Sequence, residues 1–234
     1  WKIVGAEALL RWNHATRGFI SPGIFIPLAE ETGQIVELGK WGTAEACRQI
    51  KEWEGTAFGD LQIAINVSSV QFSHGDLVQS VLETIWNAGI PASKLELEIT
   101  ESLLMGDIDK TIEALDALKE SGLSLAIDDF GTGYSSLAYL KRFPLDKLKI
   151  DQSFIKGLPE NRDDGGICGA ILAMSQQLGL TVVAEGVEEL EQLEFLQERG
   201  CDHIQGYYFS KPLAPADFEA FYMSDEITLK RKPG

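Results

Sequence analysis

An α/β fold, a (β/α)8 TIM-like barrel, is predicted by three observations. Strand-like and helix-like segments alternate from end to end, about seven such units fit within 234 residues, and strand after strand ends on a polar residue flanked by apolar ones. No Ser/Pro-rich linker or low-complexity stretch interrupts the alternation, so residues 1–234 read as a single domain. The chain reads as one strand short at its N-terminus, as a piece of a larger multidomain protein would.

Taken in order, residues 2–11 predict a strand. Ser21-Pro22 starts a helix over Ile24–Glu31 that Gly33 ends. A longer helix spans Gln34–Trp53, with Ile35, Leu38, Trp41, Cys47 and Ile50 expected on its buried side. A strand at Gln62–Val67 precedes a helix capped by Asp76, carrying Leu77, Val78, Val81, Leu82, Ile85 and Trp86 and ended by Gly89 and Pro91. Leu95, Leu97 and Ile99 alternate with Glu96, Glu98 and Thr100 in the period of a strand. A helix over Asp109–Ser121 places Ile112, Leu115 and Leu118 at core spacing, and Gly122 stops it. The strand from Leu123 then runs into Asp128-Asp129-Phe130-Gly131-Thr132-Gly133. A short helix over Ser136–Phe143 precedes the strand Lys147–Asp151. The remaining elements are a helix at Asp164–Gly179, a strand at Leu180–Glu185, a helix at Glu188–Gly200, a strand at Asp202–Gln205 and a helix from Pro215 to Phe221.

Composition removes several classes of function. A formal charge of -16 and a pI near 4.6 leave no basic surface for general nucleic-acid binding, and an anionic ligand would need cations supplied locally. No apolar run approaches the ~20 residues of a membrane span, and the N-terminus is no signal peptide. Cys47, Cys168 and Cys201 have neither zinc spacing nor an even count, which reads as buried small residues in a reducing compartment. The basic end Lys230-Arg231-Lys232 reads as a frayed terminus.

The strand-end polar residues carry the chemistry. In a barrel they gather at the C-terminal face, and parity turns Asn66, Glu98, Asp128, Lys149, Glu185 and Gln205 away from the apolar neighbours that meet the helices. On the first strand Glu7, Leu9 and Arg11 share one parity. Glu7, Asn66, Glu98, Asp128, Asp129 and Glu185 form an all-oxygen donor set, which favours Mg²⁺ or Mn²⁺ over zinc or iron. Asp128 could bridge two ions about 3.5–4 Å apart, with Asp129 swung onto the second by the glycine turn. Lys149 would hold or activate a water, or neutralise charge on a phosphoryl oxygen. Singly, each residue has a plainer reading. Glu7 could pair with Arg11, Asn66 could be a satisfied amide, and Lys149 with Asp151 could be a buried ion pair. His14, His74 and His203 read as structural, and a lone Gly-Thr-Gly turn is weak evidence for a phosphate loop. Glu101, of opposite parity to Glu98, reads as support for that loop.

With these residues in view the sequence resembles the EAL family of cyclic di-GMP phosphodiesterase domains over nearly its whole length. The motifs are Glu7-Ala8-Leu9-Leu10-Arg11-Trp12, Asn66-Val67-Ser68, Glu98-Ile99-Thr100-Glu101 and Asp128 through Leu137. Lys149-Ile150-Asp151, Ala184 through Glu188 and Gln205 through Leu213 complete the set. The resemblance implies a modified (β/α)8 barrel that hydrolyses cyclic di-GMP to linear 5′-pGpG with one or two Mg²⁺ or Mn²⁺ ions. By motif, Glu7, Asn66, Glu98 and Asp128 would hold one metal, and Asp128, Asp129 and Glu185 the second. Lys149 would position the hydrolytic water, Gln205 would orient the site, and Glu101 would anchor the loop carrying Asp129. Leu10, Arg11, Asp151, Glu188 and Tyr208 would meet the ligand, with Arg11 on a phosphate. The resemblance further implies a homodimer, neighbouring sensory or cyclase-like domains, and a cytoplasmic location, either free or as the cytoplasmic portion of a membrane-anchored protein. The family's additional first strand, with its ligand-binding glutamine, is missing before Trp1. Three other functions compete: a weak or inactive cyclic di-GMP receptor, which would have lost metal-site acids that all stand here, a Mg²⁺-dependent barrel lyase using Lys149 as base, and a domain that chiefly docks partners, for which the sequence holds no specific signal.

Overall fold

The computed structural model of the chain describes residues 2–73, 76–101, 103, 107–133 and 140–224. Two compact units emerge, Val4–Leu125 and the chain from Ala126 onward together with the N-terminal residues.

In the first unit, strands β1 (Gly5–Ala8), β4 (Gln62–Val67) and β5 (Leu95–Thr100) pair in parallel. Leu95, Leu97 and Ile99 are fully buried, each worth about 2 kcal/mol of apolar burial, so this face fixes the register. Gly5 is required where it stands, because a Cβ there would lie 2.8 Å from the Gln62 carbonyl oxygen. Helices α1 (Pro22–Glu31), α2 (Ile35–Trp53), α3 (Ser69–Ser73), α4 (Leu77–Ala88) and α5 (Ile108–Glu120) complete this unit. Gly89 closes α4 in the left-handed conformation, as its position predicts.

The first predicted strand is shorter than expected. It ends at Ala8, and an antiparallel hairpin follows, β2 (Trp12–His14) with β3 (Gly18–Ile20). The parity assumed for Leu9 and Arg11 therefore does not extend from Glu7. The hairpin turn is organised by His14, whose Nδ1 accepts from the backbone N–H groups of Thr16 and Arg17, with Gly18 at φ 70°. That is a structural histidine. Trp41, expected on the buried side of α2, is 59% exposed. Ile35, Cys47 and Ile50 are buried as expected, joined by Thr43, Ala46 and Trp53 with Gly39 also on this side, and Trp41 alone sits off that face. Trp86 on α4 is likewise exposed, while Val81 and Ile85 are buried.

The second unit carries β7 (Lys147–Ile150), β8 (Thr181–Ala184) and β9 (His203–Ile204), again parallel neighbours. Helices α6 (Gln152–Ile155), α7 (Arg162–Leu178), α8 (Leu190–Glu198) and α9 (Pro215–Met223) intervene or follow. Asn161 caps α7 by accepting from the N–H groups of Asp163 and Asp164, and Glu189 with Gln192 forms a capping box on α8. Strand β6 (Ser124–Phe130) begins in the first unit and ends in the second. Within each unit the hydrogen-bonded order follows the chain, β1-β4-β5 in the first and β6-β7-β8-β9 in the second, the sequential order of the predicted α/β barrel class.

Burial pushes the Cys47 and Cys168 thiols up to about 11 and Cys201 to about 12, which leaves them unreactive at neutral pH. Among the described residues no helix is long and apolar enough to cross a membrane. His74, the first half of the predicted helix over Ser136–Phe143, the loop from Tyr134 to Leu137 and the basic terminus lie outside the described residues.

Candidate active site

In the first unit, three oxygen-bearing side chains share one face of the sheet. Asn66 on β4 stands opposite Glu98 on β5, and Glu7 on β1 stands opposite Ala64, two residues before Asn66. Alternation makes Glu7, Ala64, Asn66 and Glu98 co-facial, as their parity predicts. The Asn66 Nδ2 donates to Glu7 Oε1 at 2.6 Å, so Glu7 has Asn66 rather than Arg11 as this partner. With its nitrogen committed to a carboxylate, the amide turns its oxygen the other way, available to a cation. Glu98 is only 3% exposed between two fully buried neighbours. Burying a carboxylate is costly unless a cation or donors compensate it. One step deeper on the same face, Glu96 accepts from the Ser124 hydroxyl at 2.6 Å, a structural use of an acid. Glu101 is buried as well. Arg11 is exposed and donates to the carbonyl of Leu10 at 2.9 Å.

In the second unit, a backbone irregularity builds the site. Ile127 pairs with Leu148 and Phe130 with Ile150, so Asp128 and Asp129 together face the single residue Lys149. This is a β-bulge, and Asp129 occupies it at φ 54°, the left-handed region. The expectation that the glycine turn swings Asp129 round is thereby corrected: the bulge at Asp129 itself does so. Two neighbouring carboxylates that would otherwise point to opposite faces now converge. Asp128 Oδ1 accepts from the Asp129 N–H at 2.9 Å, and the Thr132 hydroxyl donates to the Asp129 carbonyl at 2.8 Å, holding the bend. Gly131, at φ 99°, leaves room for Phe154, which a Cβ would approach to 2.8 Å.

Asp128, Asp129 and Glu185 each place a carboxylate oxygen within 4.8 Å of the others. Lys149, 2% exposed, reaches into this group, its Nζ 2.7 Å from Glu185 and 3.2 Å from Asp128. Asp151, which the sequence offered as the lysine's partner, instead caps α6 by accepting from the Ser153 N–H at 3.0 Å. The Asp129 carboxyl is pushed up to about 6 by partial burial, then by the charges of Asp128 and Asp151 and a hydrogen bond with Asp151. A cation among these acids would reverse that shift, so the donor set fits a hard divalent metal.

Glu185 and Gln205 are set by two loops zipped together. The Glu185 N–H donates to the Ile150 carbonyl, and the Gln205 N–H to the Ala184 carbonyl. Val187 donates to the Gln205 carbonyl at 3.1 Å and accepts from the Tyr208 N–H at 2.9 Å. Gly206 makes this crossing possible, since a Cβ there would lie 2.1 Å from the Val187 oxygen. Glu188, exposed, gives its N–H to Gln192, and half-buried Tyr208 stacks edge-on against Phe209 at 5.2 Å. Thr132 and Gly206 stand within motifs quoted from the sequence, but neither role is legible there, since a glycine packed on backbone leaves no trace in composition or periodicity.

The family model of the EAL domain matches residues 1–212. The cyclic di-GMP phosphodiesterase NbdA of Pseudomonas aeruginosa is 49% identical over 92% of this chain, which spans 28% of that protein. The bifunctional diguanylate cyclase/cyclic di-GMP phosphodiesterase MucR of the same organism is 47% identical over 92% of the chain and 31% of its own length. This chain thus spans about a third of the curated relatives it matches. The structure of the MucR phosphodiesterase in complex with c-di-GMP superposes with a TM-score of 0.89, covering 92% of this chain and 87% of that one at 46% identity. A Klebsiella pneumoniae BlrP1 manganese/cy-diGMP complex superposes at 0.76, with 32% identity over 89% of this chain and 51% of that one.

Proposed function

The chain belongs to the EAL domain family, and on that premise we propose that it is a divalent-metal-dependent phosphodiesterase that opens cyclic di-GMP to linear 5′-pGpG. The observation that carries this reading is the bulged Asp128-Asp129 pair converging with Glu185 around the ammonium of Lys149. By family motif, Glu7, Asn66, Glu98 and Asp128 would serve one ion, and Asp128, Asp129 and Glu185 a second. Mn²⁺ or Mg²⁺ suits this oxygen set, and the relative solved with manganese and the dinucleotide supports it. A bound ion of this kind supplies Lewis-acid polarisation and lowers the pKa of water.

The chain's own residues supply the rest. Lys149 orients the attacking water and offsets charge on the phosphoryl oxygens, as a buried cation set among carboxylates. The water oxygen forms a new bond to phosphorus, the bond to the ribose 3′ oxygen breaks, and the water's proton ends on that oxygen. Glu185 holds Lys149 in place by their 2.7 Å contact. Gln205 and Glu101 orient the site and its loop, and Leu10, Arg11, Asp151, Glu188 and Tyr208 meet the dinucleotide. We take residues 1–234 as one such domain, cytoplasmic, forming a homodimer and accompanied by signalling domains of the kind that its longer relatives have room for.

Purified protein incubated with Mn²⁺ and cyclic di-GMP should give pGpG on a nucleotide column, and Glu7→Ala should not. Binding without turnover would replace the enzyme by a receptor.

A further inference from the structure

The end of strand β4 is held by a network outside the acids already described. Ser68 follows Asn66 by two residues and opens helix α3. Its hydroxyl donates to Glu30 Oε1 on α1 at 2.5 Å and accepts from the Val70 N–H at 3.2 Å. Its backbone N–H donates to Gln71 Oε1 at 3.0 Å, the reach-back half of a capping box. Gln71 is buried, and the nitrogen end of its amide lies against Gly39 of α2, where a Cβ would fall 1.9 Å from it. Val67, 4% exposed, closes the gap between Asn66 and this clamp.

The arrangement is directional. Glu30 lies in the last turn of α1, where a carboxylate is disfavoured by the helix dipole and a donor must compensate it. Ser68 is that donor, and the hydroxyl cannot both rotate away and keep its charge-assisted bond. Asn66 itself is exposed, and its side chain bonds to Glu7 across strands. Its position along the strand therefore follows the peptide that Ser68 pins. We infer that Glu30, acting through Ser68 and the Gln71 cap, is a positioning residue that sets Asn66 and Glu7 for cation binding. This rests on the metal-dependent reading above and extends it to a residue on helix α1, outside the proposed set of metal donors on the strands.

Mn²⁺ titration of the purified protein by calorimetry tests this, with circular dichroism to verify folding. Glu30→Ala and Ser68→Ala should each weaken Mn²⁺ binding about tenfold, the lower end of what loss of ligand-orienting partners costs. Glu30→Gln keeps an acceptor for the hydroxyl and Ser68→Thr keeps the donor, so both should bind close to wild type. Gly39→Ala, which drives the Gln71 amide off Ser68 from the opposite side, should weaken binding in the same direction. At saturating Mn²⁺ the turnover of Glu30→Ala should recover, because the ligands are misplaced and not removed. The surface variant Glu37→Gln serves as control. Wild-type affinity in folded Glu30→Ala or Gly39→Ala overturns the inference, even where Ser68→Ala fails to fold. A lowered melting temperature with unchanged affinity does the same, since it marks a merely structural brace. Absence of Mn²⁺ binding by the wild type overturns the functional reading itself.

Discussion

Asp129 differs from its neighbours in both backbone and charge. Its left-handed φ of 54° costs about 1 kcal/mol or more for a residue with a Cβ, and the Asp128 and Thr132 hydrogen bonds hold it there. Its carboxyl is raised from 3.8 to about 6. Between these values the folded chain keeps a proton that the unfolded chain has released. In chelator, this group's contribution to stability is therefore present below about pH 4 and lost as the pH rises through about 6. Urea unfolding across that window should show the decline, and Asp129→Asn should flatten it. Lys149→Met tests the neighbouring charge. Without the ammonium, Asp128 and Glu185 face each other nearly buried, and chelated protein should lose about 3 kcal/mol of stability. Added Mn²⁺ should then stabilise the variant more than the wild type, while turnover falls about 10²–10³-fold. Equal stabilisation by Mn²⁺ in both proteins would contradict the placement of Lys149 among metal-binding acids.

At the scale of elements, the loops after β8 and β9 act as one piece because backbone meets backbone at Val187 and Gly206. Gly206→Ala has no flexible side chain to push aside and must break the hydrogen bonds to Gln205 and Tyr208. A loss of about 2–3 kcal/mol is expected in urea unfolding, together with lower activity, because Glu185 lies on the displaced loop. The helices make the complementary point. Trp53 is 5% exposed and Trp86 85%. Trp53→Ala should cost about 3–5 kcal/mol, whereas Trp86→Gln should stay within about 0.5 kcal/mol. Hydropathy alone treats these tryptophans alike. Only the angular position of each on its helix separates them, and Gly39 with Thr43, residues of no great hydrophobicity, occupies the stripe that Trp41 was expected to fill.

For the molecule as a whole, a charge of -16 opposes an anionic dinucleotide at long range. Raising monovalent salt from a few millimolar to about 0.2 M should lower KM for cyclic di-GMP, because screening removes repulsion faster than it weakens buried contacts. A rise in KM would mean that local cations, Arg11 among them, dominate the approach.

The alternation of Leu95, Leu97 and Ile99 with Glu96 and Glu98 was enough to give a parallel α/β sheet and the face on which the acids stand, because strand parity is a local rule. The sequential strand order followed from the same alternation, and the motifs carried the family. Periodicity could not yield the hairpin after Ala8, the bulge at Asp128-Asp129 or the Lys149 contacts. Each depends on what a partner strand or loop places opposite: a bulge is a mismatch of two registers, and a lysine's partner is whichever carboxylate the fold brings within reach. The residue types were written in the chain, but their convergence was decided by neighbours distant in sequence.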